Sequence, residues 1–375
     1  MLPSSFWFLP RLALALALGS PLPACDTDRP DNPNDAFTEA ESRVGDWTFV
    51  NVGGAVCRDG SPTGFGVRLQ EGADDLMIYL EGGGACFNNP TCSSNPARFG
   101  EADFEALRAH RGSTGIFSTA EANPVGGWNM VYVPYCTGDI HGGRAPDATV
   151  PGVEGVQQFV GHENIGRYLA LLAPYFGDPD KVLLTGASAG GFGTLVNFAQ
   201  VADHFDGSDL YLLDDSGPIF FADDALSPAL QHAFTRLWRF DRSLPPDAAA
   251  VLQPDGLPGI YAYYSERYPD ATFGLTSFLQ DETIRYFFGF GQPDGTISGD
   301  EFAAGLRDVR ENLPANWGTY YAPGDGHTLT PSPTTYSGSV GGVPLNEWVG
   351  DLLHGEVSHV DPSGPVRPAR TSEGS

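Results

Sequence analysis

The stretch "KVLLTGASAGGFGTLVNF" (residues 181–198) runs from an apolar segment into a cluster of small residues and out into a second apolar segment. "KVLLTG" reads as a buried strand, and a helix follows from about Ala189. A helix selected for stability alone would not carry Gly190, Gly191 and Gly193 in its first turns, since each glycine costs about 1 kcal/mol against alanine. Gly186-Ala187-Ser188-Ala189-Gly190 spells G-x-S-x-G between strand and helix, a nucleophile elbow. In that motif a tight turn projects the serine hydroxyl, and small neighbours let strand and helix approach closely. Ser188 is therefore the candidate nucleophile. The N–H of Ala189, at the positive end of the helix dipole, is a candidate donor to a developing oxyanion. A glycine-rich turn carrying a solvated serine is the competing reading, and the strand–turn–helix context weighs against it.

Outward from the elbow, strands and helices alternate. "WTFVNV", "GFGVRL", "LMIYL" and "MVYVPY" read as strands, "NIGRYLALLAPYF" as a helix, and "DLYLLDDSG" as a further strand. This order predicts an α/β fold with a mainly parallel sheet and helices on both faces. In such sheets chemistry gathers at the carboxyl ends of the strands. "LMIYLEGGGACFNNPTC" sets a glycine-rich loop directly after a strand, the position of the loop that completes the oxyanion hole in lipases and esterases. Gly83 and Gly84 are the candidate donors. A phosphate cradle is disfavoured because no lysine follows. Cys86 and Cys92 are close enough to clip the loop shut.

Composition bounds the rest. The chain has 375 residues, long enough for one large domain, and is 41% hydrophobic with 24 Phe and 14 Tyr, which marks it as globular. Its 47 acidic residues against 20 basic ones give a net charge of -27, which excludes nucleic acid and an anionic membrane surface as partners of the bulk protein. Residues 1–24, with Arg11, the apolar "LALALAL" and the small-residue end "PLPA", read as an export signal too short to cross a bilayer. Cys25 closes "LPAC", which resembles a bacterial lipoprotein cleavage box in which the cysteine is lipidated, although Pro23 departs from it; ordinary cleavage near Ala24 is the alternative. A lipid at Cys25 would be the only attachment to a membrane. Residues 25–39 read as an acidic, Pro- and Asn-rich tether, 40–361 as one folded domain, and 362–375 as a disordered tail. Cys57, Cys86, Cys92 and Cys136 lie inside the domain, an even number that suggests two disulfides in an exported protein.

"CRDGSPTGF", "YLEGGGACFNNPTC", "GIFSTAEANPVGGWNMVYVPYCTGDIHGG", "KVLLTGASAGG" and "LDDSGPIF" follow one another as in the pectin acetylesterase family, which includes the Notum-like carboxylesterases. The resemblance covers roughly residues 45–355. It implies an α/β-hydrolase-like fold, a Ser-Asp-His triad, disulfides Cys57–Cys136 and Cys86–Cys92, and an acylated substrate with no cofactor. Notum-like members carry a tryptophan where this chain has Gly84, so a more open pocket wall is expected there and their specificity does not transfer.

The serine needs a base and the base needs a carboxylate, in the chain order Ser, Asp or Glu, His. His327, His354 and His359 follow a plausible acid. His327 lies in the Gly- and Pro-rich "APGDGHTLTPS", a loop suited to presenting a catalytic group, whereas His354 ends a helical stretch. The resemblance also falls on His327. For the acid, Asp281 in "TSFLQDETIRYFFG" matches the family segment, with an ordinary helix N-cap as its bland alternative and Asp214 and Asp215 as rivals. "QPDGTISGDEF" imitates half of a calcium loop, yet two ligand positions fall on Phe290 and Gln292, and a Ser298/Glu301 capping box explains the segment better. No metal is expected. The reading is an exported serine esterase acting on short acyl, above all acetyl, esters, with acetylated polysaccharide as a candidate substrate. A Notum-like esterase for longer fatty acyl groups and a non-catalytic glycan-binding lipoprotein are its rivals.

Overall fold

The computed structural model describes residues 36–221, 228–248, 257–290 and 294–366. The expected export signal, Cys25 and most of the tether and tail lie outside them. Ten strands form one sheet: β1 (Trp47–Val56), β2 (Pro62–Arg68), β3 (Leu76–Leu80), β4 (Asn129–Val133), β5 (Lys181–Ala187), β6 (Asp209–Asp215), β7 (Thr272–Phe278), β8 (Trp317–Ala322), β9 (His359–Asp361) and β10 (Gly364–Val366). Their spatial order is β1-β2-β4-β3-β5-β6-β7-β8-β9-β10. From β4 through β9 every neighbouring pair is parallel, and β1, β2 and β10 add antiparallel edges.

Side chains of alternate residues enter different layers, as a pleated strand requires. Leu76, Ile78 and Leu80 of β3 join one buried cluster, while Met77 and Tyr79 join the other. Helices Gly161–Phe176 (α1) and Ala189–His204 (α2) cover the first layer, and Leu345–Leu352 (α3) covers the second. A sheet buried on both faces explains why its central strands are continuously apolar. The fold is α/β-hydrolase-like, a single domain, as the sequence predicts.

Both expected domain ends move. Phe37, placed in the tether, is fully buried and stacks on Tyr175 at 3.8 Å, so the folded region begins before residue 40. At the other end Gly364–Val366, placed in the tail, pairs with His359–Asp361. One aromatic anchor and one short backbone ladder outweigh a polar, proline-rich composition.

Candidate active site

The site is built where five neighbouring strands end. β3 leads into Gly82–Gly84, β5 into Ser188, β6 into Ser216, β7 into Asp281 and β8 into His327. Ser188 has φ +59° and ψ −120°, a backbone conformation that costs a non-glycine residue about 1–3 kcal/mol. Its N–H is held by the Asp215 carbonyl at 2.7 Å. The glycines of the opening stretch are required by the crossing of strand and helix. A Cβ on Gly190 would lie 1.9 Å from the Leu80 carbonyl oxygen, and one on Gly186 would lie 2.6 Å from that of Gly190.

His327 Nδ1 lies 2.8 and 3.0 Å from the two carboxylate oxygens of Asp281, which is fully buried. Asp281 also accepts the N–H of Ile284 at 3.0 Å and so caps the helix Glu282–Gly289. The cap and the histidine partner are therefore one residue, and the two sequence readings of Asp281 are compatible. His354 bonds back to Gly350 on its own helix, and His359 sits beside Thr319 on β8; neither meets Asp281.

Asp214 and Asp215 do not touch His327. Asp214 accepts the Gly217 N–H at 2.7 Å; burial, and then the neighbouring Asp215, hold its carboxyl well above the usual range. Asp215 is the residue whose part the sequence did not reveal. Its carboxylate accepts the N–H of Leu329 at 2.9 Å, the N–H and hydroxyl of Thr330 at 2.8 and 2.7 Å, and the hydroxyl of Thr276 at 3.0 Å. Because its own carbonyl binds Ser188, Asp215 ties the turn of Ser188 to the loop of His327. No hydrogen bond joins Ser188 to His327 directly among the described residues.

Gly84 and Ala189 line the same apolar cavity as Ser188, together with Ile140, Phe192, Phe234 and Trp238. The N–H groups of Gly83, Gly84 and Ala189 meet no acceptor among the described residues. Gly83 does not line the cavity; a Cβ there would strike the Tyr135 ring at 2.7 Å. Gly84 has φ +76°, and a Cβ on it would stand 3.3 Å from the Phe287 ring. Phe287 lines the same cavity, so its ring stands beside the position where the tryptophan is missing.

The loop carrying these glycines is anchored from several sides. Cys86–Cys92 and Cys57–Cys136 are both formed. Asn95 Nδ2 donates to the Gly83 carbonyl at 2.7 Å, Trp238 Nε1 to that of Cys86 at 3.1 Å, and the buried Arg58 guanidinium to those of Cys92 and Asn95 at 2.9 and 2.8 Å. Ser298 and Glu301 form the expected reciprocal capping box at 3.2 and 2.8 Å. Among the described residues no group of three His, Cys, Asp or Glu side chains gathers with metal-binding geometry.

The family model for pectinacetylesterase matches residues 38–254. The chain belongs to the pectinacetylesterase family. Over 151 residues it is 32% identical to the palmitoleoyl-protein carboxylesterase NOTUM of Mus musculus, covering 39% of this chain and 29% of that protein. Over 110 residues it is 31% identical to the inactive palmitoleoyl-protein carboxylesterase notum1b of Danio rerio, covering 26% of this chain and 73% of that protein. The match thus spans about a third of the length of the first of these relatives. In three dimensions the chain resembles the Drosophila Wnt deacylase Notum with a TM-score of 0.63 and 21% identity, over 86% of this chain and 96% of the other, which shows the fold.

Proposed function

We propose that the protein is an exported carboxylesterase that hydrolyses short acyl esters, acetyl above all, through an acyl-enzyme. The observation that carries this reading is the His327–Asp281 pair, presented after β8 and β7 at the same end of the sheet as the strained turn of Ser188. Ser188 Oγ attacks the ester carbonyl as His327 Nε2 takes its proton. Asp281 orients the ring through Nδ1 and stabilises the imidazolium. N–H groups of Ala189 and Gly84, with Gly83 beside them, receive the charge that develops on the carbonyl oxygen. The imidazolium then protonates the departing alcohol, and water, activated by the same ring, resolves the acyl-enzyme.

The acyl side is read from the cavity at Ser188. It is a small cavity, with about 30 Å³ of room walled by aliphatic and aromatic side chains. Ile140, Phe192 and Phe234 separate it from a second apolar cavity of about 20 Å³ behind them. An acetyl methyl fits; a longer chain requires these rings to move. That favours a short-acyl esterase over removal of a fatty acyl group, the activity for which the Notum relatives are named. Both disulfides accord with export.

The test is kcat/KM for acetyl, butyryl, octanoyl and palmitoyl esters of one phenol, with Ser188→Ala as control. Acetyl or butyryl should lead, and Ser188→Ala should lose several orders of magnitude with unchanged Tm. Octanoyl or longer in the lead would replace the short-acyl reading, and wild-type turnover in Ser188→Ala would end the mechanism.

A further inference from the structure

The run Gly82-Gly83-Gly84 gives the peptide between Gly83 and Gly84 no direction of its own. Close contacts require the glycines: a Cβ on Gly82 would lie 2.5 Å from the Ala187 carbonyl oxygen, and one on Gly83 would strike the Tyr135 ring. The same glycines bring freedom, because each takes either sign of φ and a peptide flanked by two of them turns over with no side chain to resist it. That rotation matters at this position. In a planar trans peptide the carbonyl of Gly83 and the N–H of Gly84 point in opposite directions, so a half-turn would set a carbonyl oxygen where the proposed oxyanion donor stands. A group outside the run has to fix the direction.

Asn95 is that group. Its Nδ2 donates to the Gly83 carbonyl at 2.7 Å, the one hydrogen bond to this peptide unit among the described residues. Only the NH2 end of the side chain can meet a carbonyl oxygen, which settles the orientation of the amide. The Gly84 N–H is thereby aimed away from Asn95, and Gly84 lines the cavity at Ser188 whereas Asn95 does not. Donation to the carbonyl oxygen also polarises the peptide and strengthens the N–H at its other end.

Asn95 is itself held from behind. It is buried, follows the short helix Asn89–Ser94, and has the extended backbone (φ −93°, ψ 134°) favoured by Pro96 after it. Its own carbonyl accepts Arg58 Nη2 at 2.8 Å; the same nitrogen bonds the Cys92 carbonyl at 2.9 Å, and Nη1 bonds the Gln157 side-chain oxygen at 2.7 Å. The neighbouring Asp59 pairs with Arg98, so the buried Arg58 charge is directed at neutral carbonyls beneath the loop. Guanidinium, Asn95 backbone, Asn95 amide and Gly83 carbonyl form one chain of contacts that ends at the Gly84 N–H.

We propose that Asn95 is a positioning residue of the oxyanion hole, holding the Gly83 carbonyl so that the Gly84 N–H points at the carbonyl oxygen of the ester. The assignment rests on the esterase reading of Ser188. Asn95 touches no substrate; without its side chain the N–H is present but misdirected, and the effect falls on the developing oxyanion. The experiment uses two substrates that differ at the one atom the donor serves, phenyl acetate and O-phenyl thionoacetate, in which sulfur replaces the carbonyl oxygen. Sulfur is a weak hydrogen-bond acceptor, so an N–H aimed at oxygen does little for it. The two kcat/KM values are measured for the wild type, Asn95→Ala, Asn95→Asp and Ser188→Ala. Asn95→Ala should lower kcat/KM for phenyl acetate about 10- to 100-fold, short of the roughly 10²–10³-fold loss for a donor removed outright, and for the thionoester by at most about threefold. Asn95→Asp keeps the shape but turns an oxygen toward the Gly83 carbonyl, and should lose at least as much. The ratio of the two values is independent of how much of a variant is folded, so a fall in Tm leaves the comparison intact. Phenyl acetate turnover within about twofold of wild type in Asn95→Ala overturns the proposal. An equal fall on both esters makes Asn95 a support of the fold alone and overturns it too. A wild type no faster than Ser188→Ala on phenyl acetate overturns the esterase reading itself, and this assignment with it.

Discussion

At the scale of single residues, two aspartates separate the proposed catalysis from construction. Asp281 serves His327 and caps the helix after it, and asparagine is as good an N-cap as aspartate. Asp281→Asn should therefore keep Tm within a few degrees while lowering kcat by about 10³–10⁴-fold, since an amide cannot stabilise the imidazolium or hold the productive tautomer. Asp215 is the converse case. Five donors converge on its buried carboxylate, and an asparagine would turn its NH2 toward some of them. Asp215→Asn should cost about 1–3 kcal/mol for each donor left without an acceptor, read as a fall in Tm with activity falling alongside. Thermal melts and kcat measured on both variants check the assignment. A stable but inactive Asp215→Asn, beside an active Asp281→Asn, would reverse the two roles.

Among elements, the loop after β3 shows which features can be read from sequence and which cannot. The elbow was legible because its whole signal, strand, small residues and helix, lies within one continuous stretch. The cysteine clip and the glycine run after "LMIYL" were legible for the same reason. Asp215 was not, because four of its five donors come from Thr276, Leu329 and Thr330, far along the chain, and only strand order brings them together. Nor did β8 announce itself: all six of its residues are buried, so no alternation marks it. The base of the loop also holds an unforeseen group, Glu81. Its carboxylate accepts the Tyr135 N–H at 2.9 Å, and burial pushes it up to about 7 against partial relief from Tyr135 and Tyr132. A carboxyl raised in the folded state stabilises the fold fully below its unfolded pKa, and that contribution is lost as pH rises through about 7. Glu81→Gln keeps an acceptor for Tyr135 and cannot ionise. The Tm of the variant should accordingly gain on the wild type as pH rises from about 4.5 to 8. Parallel melting curves across that range would mean that Glu81 is not strained by burial.

For the whole molecule, charge decides which acylated polymer can approach. The chain carries -27 overall, and its surface ion pairs, such as Arg98–Asp59, are exposed ones that leave this excess unmasked. De-esterified pectin is a polyanion, so its encounter with the protein is opposed at a range set by ionic strength, about 30 Å at 0.01 M salt and about 8 Å at 0.15 M. A cleft lined by Arg144, Arg167 and Glu163 offers one net positive charge at short range, too small to offset a repulsion summed over the whole surface. For an acetylated, de-esterified polygalacturonate, kcat/KM should therefore rise with salt over this interval, carried by KM, because repulsion slows association and leaves the chemical step untouched. An acetylated polymer whose carboxyls are methyl-esterified should begin higher and respond little. Phenyl acetate, which is neutral, should show no salt response and reports any effect of salt on the catalytic groups themselves. Deacetylation rates for the three substrates at the two salt concentrations check the argument. A salt-independent rate on the anionic polymer, with phenyl acetate also constant, would show that local contacts govern its approach in place of the overall charge.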